Sequence, residues 1–363
     1  MINQCPLCGS LDFKVIYKNN DMPIFQNKVY DSIEKAKTVI KSNLILCKCN
    51  SCSFIFNREF DYSIMNYDSS YQNEQNHSVF FKNYLDDIIK ELKKYFSNKD
   101  KIIEIGSGKG YFLNLLEDAG FANIIGFDPA YEGEKENIVK DYYGSLYNDI
   151  NADLIILRHT LEHISEPFKF LHEIAKANSY KGKIFIEVPC FDWIENKEAF
   201  WDIFYEHCNY FTEDSLKSMF NNSSVGKLFN GQYIYLIANL SELKEKVEYK
   251  VYEKGKELFQ NSFKDYLRIL QSGKYAVWGA GAKGVTFLNI LDQEMKYVKY
   301  VVDINPKKQN KYLAKTSHKI IGLDELKGLI DNQIVDSIFI MNENYKDEIK
   351  EELSGYKINF VIL

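Results

Sequence analysis

The sequence predicts an α/β protein with a small metal-binding module at its front. Five of its seven cysteines lie within residues 1–52, and two stretches of strand–helix alternation follow. Each alternation opens on a glycine-rich turn, at 104–110 and at 279–284. Alternation of this kind builds a parallel sheet with crossover helices.

Size and charge narrow the classes. A chain of 363 residues is a prior for two or three domains. A net charge of −6 gives no general affinity for polyanions, so nucleic acid is not an expected partner. Met1-Ile-Asn-Gln runs into Cys5 without a basic start or an apolar h-region, and no segment reaches the roughly 20 apolar residues of a membrane span. The expectation is a cytoplasmic chain without a membrane partner, whose cysteines are thiols or metal ligands rather than disulfides.

Taken in order, the first segment reads as short strands at 13–17, 28–30, 44–46 and 54–56. A tyrosine-rich stretch (Tyr62, Tyr67, Tyr71) follows, then a helix over 78–96 with Phe81, Tyr84, Leu85, Ile88, Ile89 and Leu92 at helical spacing. Strands are expected at 101–105, 123–127, 153–157 and 183–187, with helices at 111–119 and 167–177. The runs 225–229 and 233–238, joined at Asn230-Gly231, predict a hairpin. Residues 240–271 are a charged, helical connector. The second alternation has strands at 275–278, 298–302 and 337–341 and a helix at 284–291.

Cys5-Pro-Leu-Cys8 and Cys49-Asn-Ser-Cys52 are two C-x-x-C knuckles. Each tight turn aims two thiolates at one ion, and the pair completes a tetrahedral zinc site. Four thiolates leave no open position, so the expected Zn2+ is structural. Cys47 is an alternative to Cys49 as ligand; four free thiols are the plain alternative.

In Glu104-Ile-Gly106-Ser107-Gly108-Lys-Gly110 the acid stands before the glycines, at the strand's end. That placement suits a cationic or amino-acid ligand better than a pyrophosphate. Gly126-Phe127-Asp128-Pro129 ends the next strand, where a carboxylate accepts from ribose hydroxyls. The loop resembles motif I of class I methyltransferases, which implies S-adenosylmethionine as cofactor, the loop around its methionine part and Asp128 on its ribose. Asp153-Leu-Ile-Ile-Leu-Arg-His159-Thr-Leu-Glu162-His163-Ile resembles the hxLEH segment of the same class. It lies at a strand's carboxyl end, which places His159 and His163 near cofactor or acceptor; His163 is equally readable as a helix-start histidine satisfied by backbone.

The segment Trp201-Asp-Ile-Phe-Tyr205-Glu206-His207-Cys208-Asn-Tyr210-Phe211-Thr offers an imidazole beside a carboxylate, the parts of a general base. The paired knuckles, the core, Tyr-Glu-His-x-x-Tyr-Phe and a second glycine loop together resemble the sugar C-methyltransferases, which act on nucleotide-linked keto-deoxysugars. The resemblance implies three parts: an N-terminal zinc-binding module (1–62), a central class I Rossmann-like S-adenosylmethionine methyltransferase domain (63–240), and a C-terminal Rossmann-like α/β domain (241–363). It implies His207 and Glu206 as the catalytic pair, with Tyr205 and Tyr210 shaping the acceptor pocket, His163 as competing base, and Tyr67 or Tyr71 closing the cofactor pocket. The family pattern has tyrosine two places before the glutamate; here that place is Phe204.

Gly279-Ala-Gly281-Ala-Lys283-Gly284 follows a strand, and Asp303 ends the next one. Alone this is a dinucleotide fingerprint. Within the resemblance it holds the nucleotide half of the acceptor, a diphosphate lying on the amides of Gly281–Gly284 with Lys283 nearby. The partner expected is thus a small-molecule acceptor, with a nucleotide-sugar first. The rivals are an O- or C-methyltransferase on a non-sugar metabolite or natural-product precursor, an NAD-binding oxidoreductase using the second loop, and a zinc-scaffolded binding protein without turnover.

Overall fold

The computed structural model describes residues 1–66, 71, 78–247, 258–259 and 262–363. Tyr67, expected near the cofactor, lies outside the described residues, as does much of the 240–271 connector.

The central segment forms a seven-stranded sheet. In spatial order its strands are Ser224–Leu228, Tyr233–Asn239, Lys183–Pro189, Leu154–Arg158, Lys101–Ile105, Asn123–Phe127 and Ile138–Val139. Numbered within this sheet in chain order, that is 6-7-5-4-1-2-3, and only the seventh strand runs against its neighbours. The innermost strands are apolar on both faces because helices cover both: Leu154 to Leu157 and Ile184 to Ile186 have no exposed surface. The order reverses between Lys101–Ile105 and Leu154–Arg158. A ligand crevice therefore opens at the carboxyl ends of those two strands. The helix Val79–Leu92 packs one face with Tyr84, Leu85, Ile88, Ile89 and Leu92, and the Ser78 side chain caps its start by accepting from the Phe81 amide. The expected hairpin is present, and Asn230 and Gly231 both take positive φ in its turn.

The flanking sheets borrow strands. The N-terminal sheet is antiparallel, ordered Phe13–Pro23, Lys41–Cys49, Ile55–Asn57 and Asn209–Tyr210, so its last strand comes from the central segment. The C-terminal sheet is ordered Asn359–Ile362, Ser337–Ile340, Tyr275–Trp278, Val298–Val302, Lys319–Ile321, Tyr312–Leu313 and Val29–Tyr30. Its edge pair is thus completed by two residues of the N-terminal segment.

Residues 199–211 run between all three sheets. Phe200 stacks on Phe287, and Trp201 meets Tyr266 edge-on, both in the C-terminal part. Tyr205 packs on Phe60 of the N-terminal part. No helix among the described residues is long and apolar enough to cross a membrane.

Candidate active site

Gly106, Gly108 and Gly110 all take positive φ, which L side chains rarely adopt. A Cβ on Gly106 would lie 2.3 Å from Oγ1 of Thr160, so this glycine lets the turn close against the neighbouring strand end. Asp128 braces the loop: its carboxylate accepts from the amides of Gly108 and Ala130, each at 2.8 Å. Pro129 beside it is exposed. Glu104 is buried, Oε2 has no partner, and burial pushes its carboxyl up to about 7 against the pull of Arg158. The Ser107 hydroxyl is also buried without a partner. Left-handed glycines beside two orphaned polar side chains form a cradle that a polar, cationic ligand would complete.

The next wall is a charged cluster that sequence reasoning passed over. Arg158 donates to Glu187 at 2.8 Å and to the Tyr84 hydroxyl at 3.1 Å, and Tyr84 donates to Glu187. Three residues distant in sequence thus make one buried network, and only the apolar run around Arg158 hinted at it. His159 takes positive φ, meets Tyr233 edge-on, and sets Nδ1 3.4 Å from Oε1 of Glu162.

The 201–212 segment is more divided than its sequence implies. Tyr205, expected to be catalytic, stands in a packing position. It is fully buried, and its hydroxyl donates to the Glu59 carbonyl and accepts from the Asp61 amide, both at 2.9 Å. Tyr210, expected in the acceptor pocket, is likewise placed: its hydroxyl serves the backbone of Phe204, donating at 2.9 Å and accepting at 3.1 Å. Glu206 does not orient His207. Neighbouring residues point apart, and the Glu206 carboxylate accepts from the Gln26 amide and the Tyr71 hydroxyl, each at 2.7 Å. Burial pushes its carboxyl up. Tyr71, expected over the cofactor, is therefore anchored to the 201–212 segment.

His207 keeps different company. Its ring lies 4.8 Å from that of His163, edge to face, and 4.3 Å from Phe204. Burial holds its pKa well below the usual imidazole range. Nδ1 of His163 is 2.9 Å from the Glu206 carbonyl. Glu162, which the sequence reading gave no role, completes a trio whose ligand atoms all lie within 4.8 Å of one another.

At the second glycine loop the contacts among the described residues are structural ones. A Cβ on Gly284 would lie 2.0 Å from the Gly279 carbonyl, so that glycine serves close helix–strand packing. Lys283 is held by Asp202 at 2.7 Å and Gln232 at 2.9 Å and lies over Trp193, all of the central segment. Asn27 and Lys308 stand above Gly281. Asp303 is taken by the Ala280 and Asn305 amides and by Lys308 at 3.6 Å. The loop braces the domains together.

The four knuckle cysteines converge. Sγ of Cys5 lies 3.5 Å from that of Cys52, Sγ of Cys8 lies 3.6 Å from that of Cys49, and all four sulfurs lie within 4.8 Å. Sulfurs on a tetrahedral zinc stand about 3.8 Å apart, so the set fits such an ion. The hydrogen bond with Cys49 pushes the Cys52 thiol up, while the one with Cys5 holds Cys49 down. Cys47 is buried outside the set, and burial pushes its thiol up to about 11.

Residues 73–223 match the methyltransferase-domain family, and residues 239–361 match the C-methyltransferase C-terminal domain family. Two curated relatives align. C-methyltransferase NovU of Streptomyces niveus is 22% identical over 61% of this chain and 55% of its own length. The tRNA U34 carboxymethyltransferase of Campylobacter fetus is 30% identical over 26% of this chain and 39% of its own. The chain thus spans about half the length of the first and less of the second. A solved SAM-dependent methyltransferase from Archaeoglobus fulgidus superposes with a TM-score of 0.34 at 18% identity, covering 45% of this chain and 95% of that one.

The sheet order is that of a doubly wound α/β fold, and the segment that builds most of it, residues 73–223, is similar to methyltransferase domains. Residues 239–361 are similar to the C-terminal domain of C-methyltransferases.

Proposed function

We propose that the chain transfers the methyl group of S-adenosylmethionine to a carbon beside a carbonyl, with a nucleotide-linked keto-sugar as acceptor. One observation carries this reading: the His163–His207 pair lies just beyond the carboxyl end of Leu154–Arg158, the strand paired with Lys101–Ile105, which leads into the glycine loop. The sulfonium needs only alignment. The acceptor needs activation, because a proton must leave the attacked carbon. The imidazole pair is the activating group. Electrons of the resulting enolate form the new C–C bond, the S–CH3 bond breaks, and S-adenosylhomocysteine leaves.

The chain's own residues do the remaining work. Glu104 receives the cofactor's ammonium, Asp128 holds the loop and meets the ribose, and Gln26, Tyr71 and Glu206 wall the acceptor side. The sugar rests on the resemblance carried by the knuckles and the 201–212 segment; a C-methyltransferase C-terminal domain match supports carbon as the site. The four thiolates hold one structural Zn2+, and the chain works in the cytoplasm, where its thiols stay reduced. The division into 1–62, 63–240 and 241–363 describes its functional parts.

The test is solvent deuterium exchange. The protein is incubated with S-adenosylhomocysteine and a nucleotide-linked keto-deoxysugar in D2O. Exchange at the carbon beside the carbonyl, and a product that keeps its ketone after turnover with S-adenosylmethionine, are expected. A methyl ether without exchange refutes carbon as the acceptor.

A further inference from the structure

The Glu162 carboxylate is 1% exposed, and neither oxygen has a hydrogen-bond partner. A buried carboxylate is costly unless a donor or a cation faces it. What faces it are histidines. His159 Nδ1 is 3.4 Å from Oε1, and one ligand atom each from Glu162, His163 and His207 lie within 4.8 Å of one another.

His163 is set as a ligand. The Glu206 carbonyl 2.9 Å from its Nδ1 can only accept, so Nδ1 bears the proton and Nε2 the lone pair. An imidazole that donates its second N–H to a backbone carbonyl is the usual form of a metal-ligating histidine. The supporting backbone is latched: Asn209 donates to the Leu161 and Ile164 carbonyls, and the Cys208 thiol to that of Glu162. Ligand atoms on a zinc-sized ion stand about 3.4 Å apart, so the three must draw closer when an ion binds.

We propose that Glu162, His163 and His207 hold a divalent transition-metal ion, separate from the four-thiolate site. Two imidazoles and one carboxylate favour a first-row transition metal over magnesium or calcium. Three protein ligands leave an open position. This inference rests on the reading of the crevice as the acceptor site and deepens it. The ion binds the acceptor's carbonyl oxygen and, as a Lewis acid, stabilises the enolate; His207 then acts through the ion as its ligand, and the proton of the attacked carbon passes to water.

The full chain is dialysed against excess Zn2+, then against metal-free buffer, and its zinc content measured. Two ions per chain are expected in the wild type and one in Glu162→Gln and in His207→Ala, with S-adenosylmethionine binding retained as the sign of an intact fold. A single zinc in the wild type overturns the proposal. So do two zincs in both variants. This measurement uses no acceptor, so it reads the site even where the keto-sugar reading fails. With Co2+ in the second site, adding the keto-sugar should shift the visible absorption of the ion; an unchanged spectrum removes the acceptor from the metal.

Discussion

If Glu104 receives the cofactor's ammonium as proposed, it should set the pH dependence of cofactor binding. Its carboxyl stands at about 7 in the free protein because burial favours the neutral form. A bound ammonium favours the ionised form and lowers that value in the complex. Affinity for S-adenosylmethionine is therefore full above pH 7 and falls as the pH drops below it, by up to about tenfold per pH unit until the pKa of the complex is reached. Calorimetry at pH 8, 7 and 6 checks this, with Glu104→Gln expected to bind weakly and with little pH dependence. Asp128 acts differently, because its carboxylate also holds the Gly108 and Ala130 amides. Asp128→Ala should weaken cofactor binding by roughly 1–3 kcal/mol, the cost of leaving buried groups unpaired. Both residues were legible in the sequence, since an acid before a glycine run and an acid one strand later are local patterns. The environment of Glu162 was not. Its surroundings depend on His207 arriving from 45 positions downstream, and no spacing rule encodes that.

The element to which the proposed chemistry is assigned is the 201–212 segment. Its polar and aromatic residues read in sequence as one pocket lining, but folding sorts them by direction. Tyr205 and Tyr210 spend their hydroxyls on backbone, the Glu206 carboxylate reaches the N-terminal part, and the His207 ring meets that of His163. Tyr205→Phe should cost roughly 1–3 kcal/mol of stability, because the Asp61 amide and the Glu59 carbonyl lose their partner. Cofactor affinity should not change; chemical denaturation beside calorimetry separates the two readouts. His207→Ala should instead lower turnover by about 10²–10⁴-fold, the usual weight of assisted proton removal, and leave cofactor affinity unchanged. Full turnover in His207→Ala with loss in His163→Ala would move the activating role to the Leu161–His163 turn. The long elements were legible for a simple reason. Strands such as Lys101–Ile105 and helices such as Pro167–Ala177 carry their own periodicity or unbroken apolar run. Two-residue strands such as Val29–Tyr30 and Asn209–Tyr210 exist only because a partner edge is presented to them, so their pairing was invisible.

At the scale of the molecule, the shared strands decide what the thiolate site does for function. The central sheet is made wholly from residues 101–239, and its glycine loop leans on Asp128 and Thr160 of the same segment. Cofactor binding therefore does not depend on the N-terminal module. The acceptor side does. Glu206 is held by Gln26, Tyr205 by Glu59 and Asp61, and Asn209–Tyr210 is a strand of the module's own sheet. If the four thiolates hold zinc as proposed, losing the ion should loosen all three anchors, because binding at a closed site is folding free energy for the segment that forms it. Cys52→Ser should consequently abolish turnover while S-adenosylmethionine still binds, and it does so without touching Glu162, His163 or His207. Zinc analysis, cofactor calorimetry and turnover on the same preparation check this. Loss of cofactor binding together with turnover would mean that the cradle relies on the module, and the independence of the central sheet would be wrong. Retained turnover would mean that strand sharing alone fixes the acceptor wall. The C-terminal part supplies the matching control. Lys283→Ala breaks the ion pair with Asp202 but leaves the thiolates and the cradle intact. It should therefore lower the melting temperature and acceptor affinity modestly, with cofactor affinity unchanged, because the brace positions the 201–212 segment from its other end.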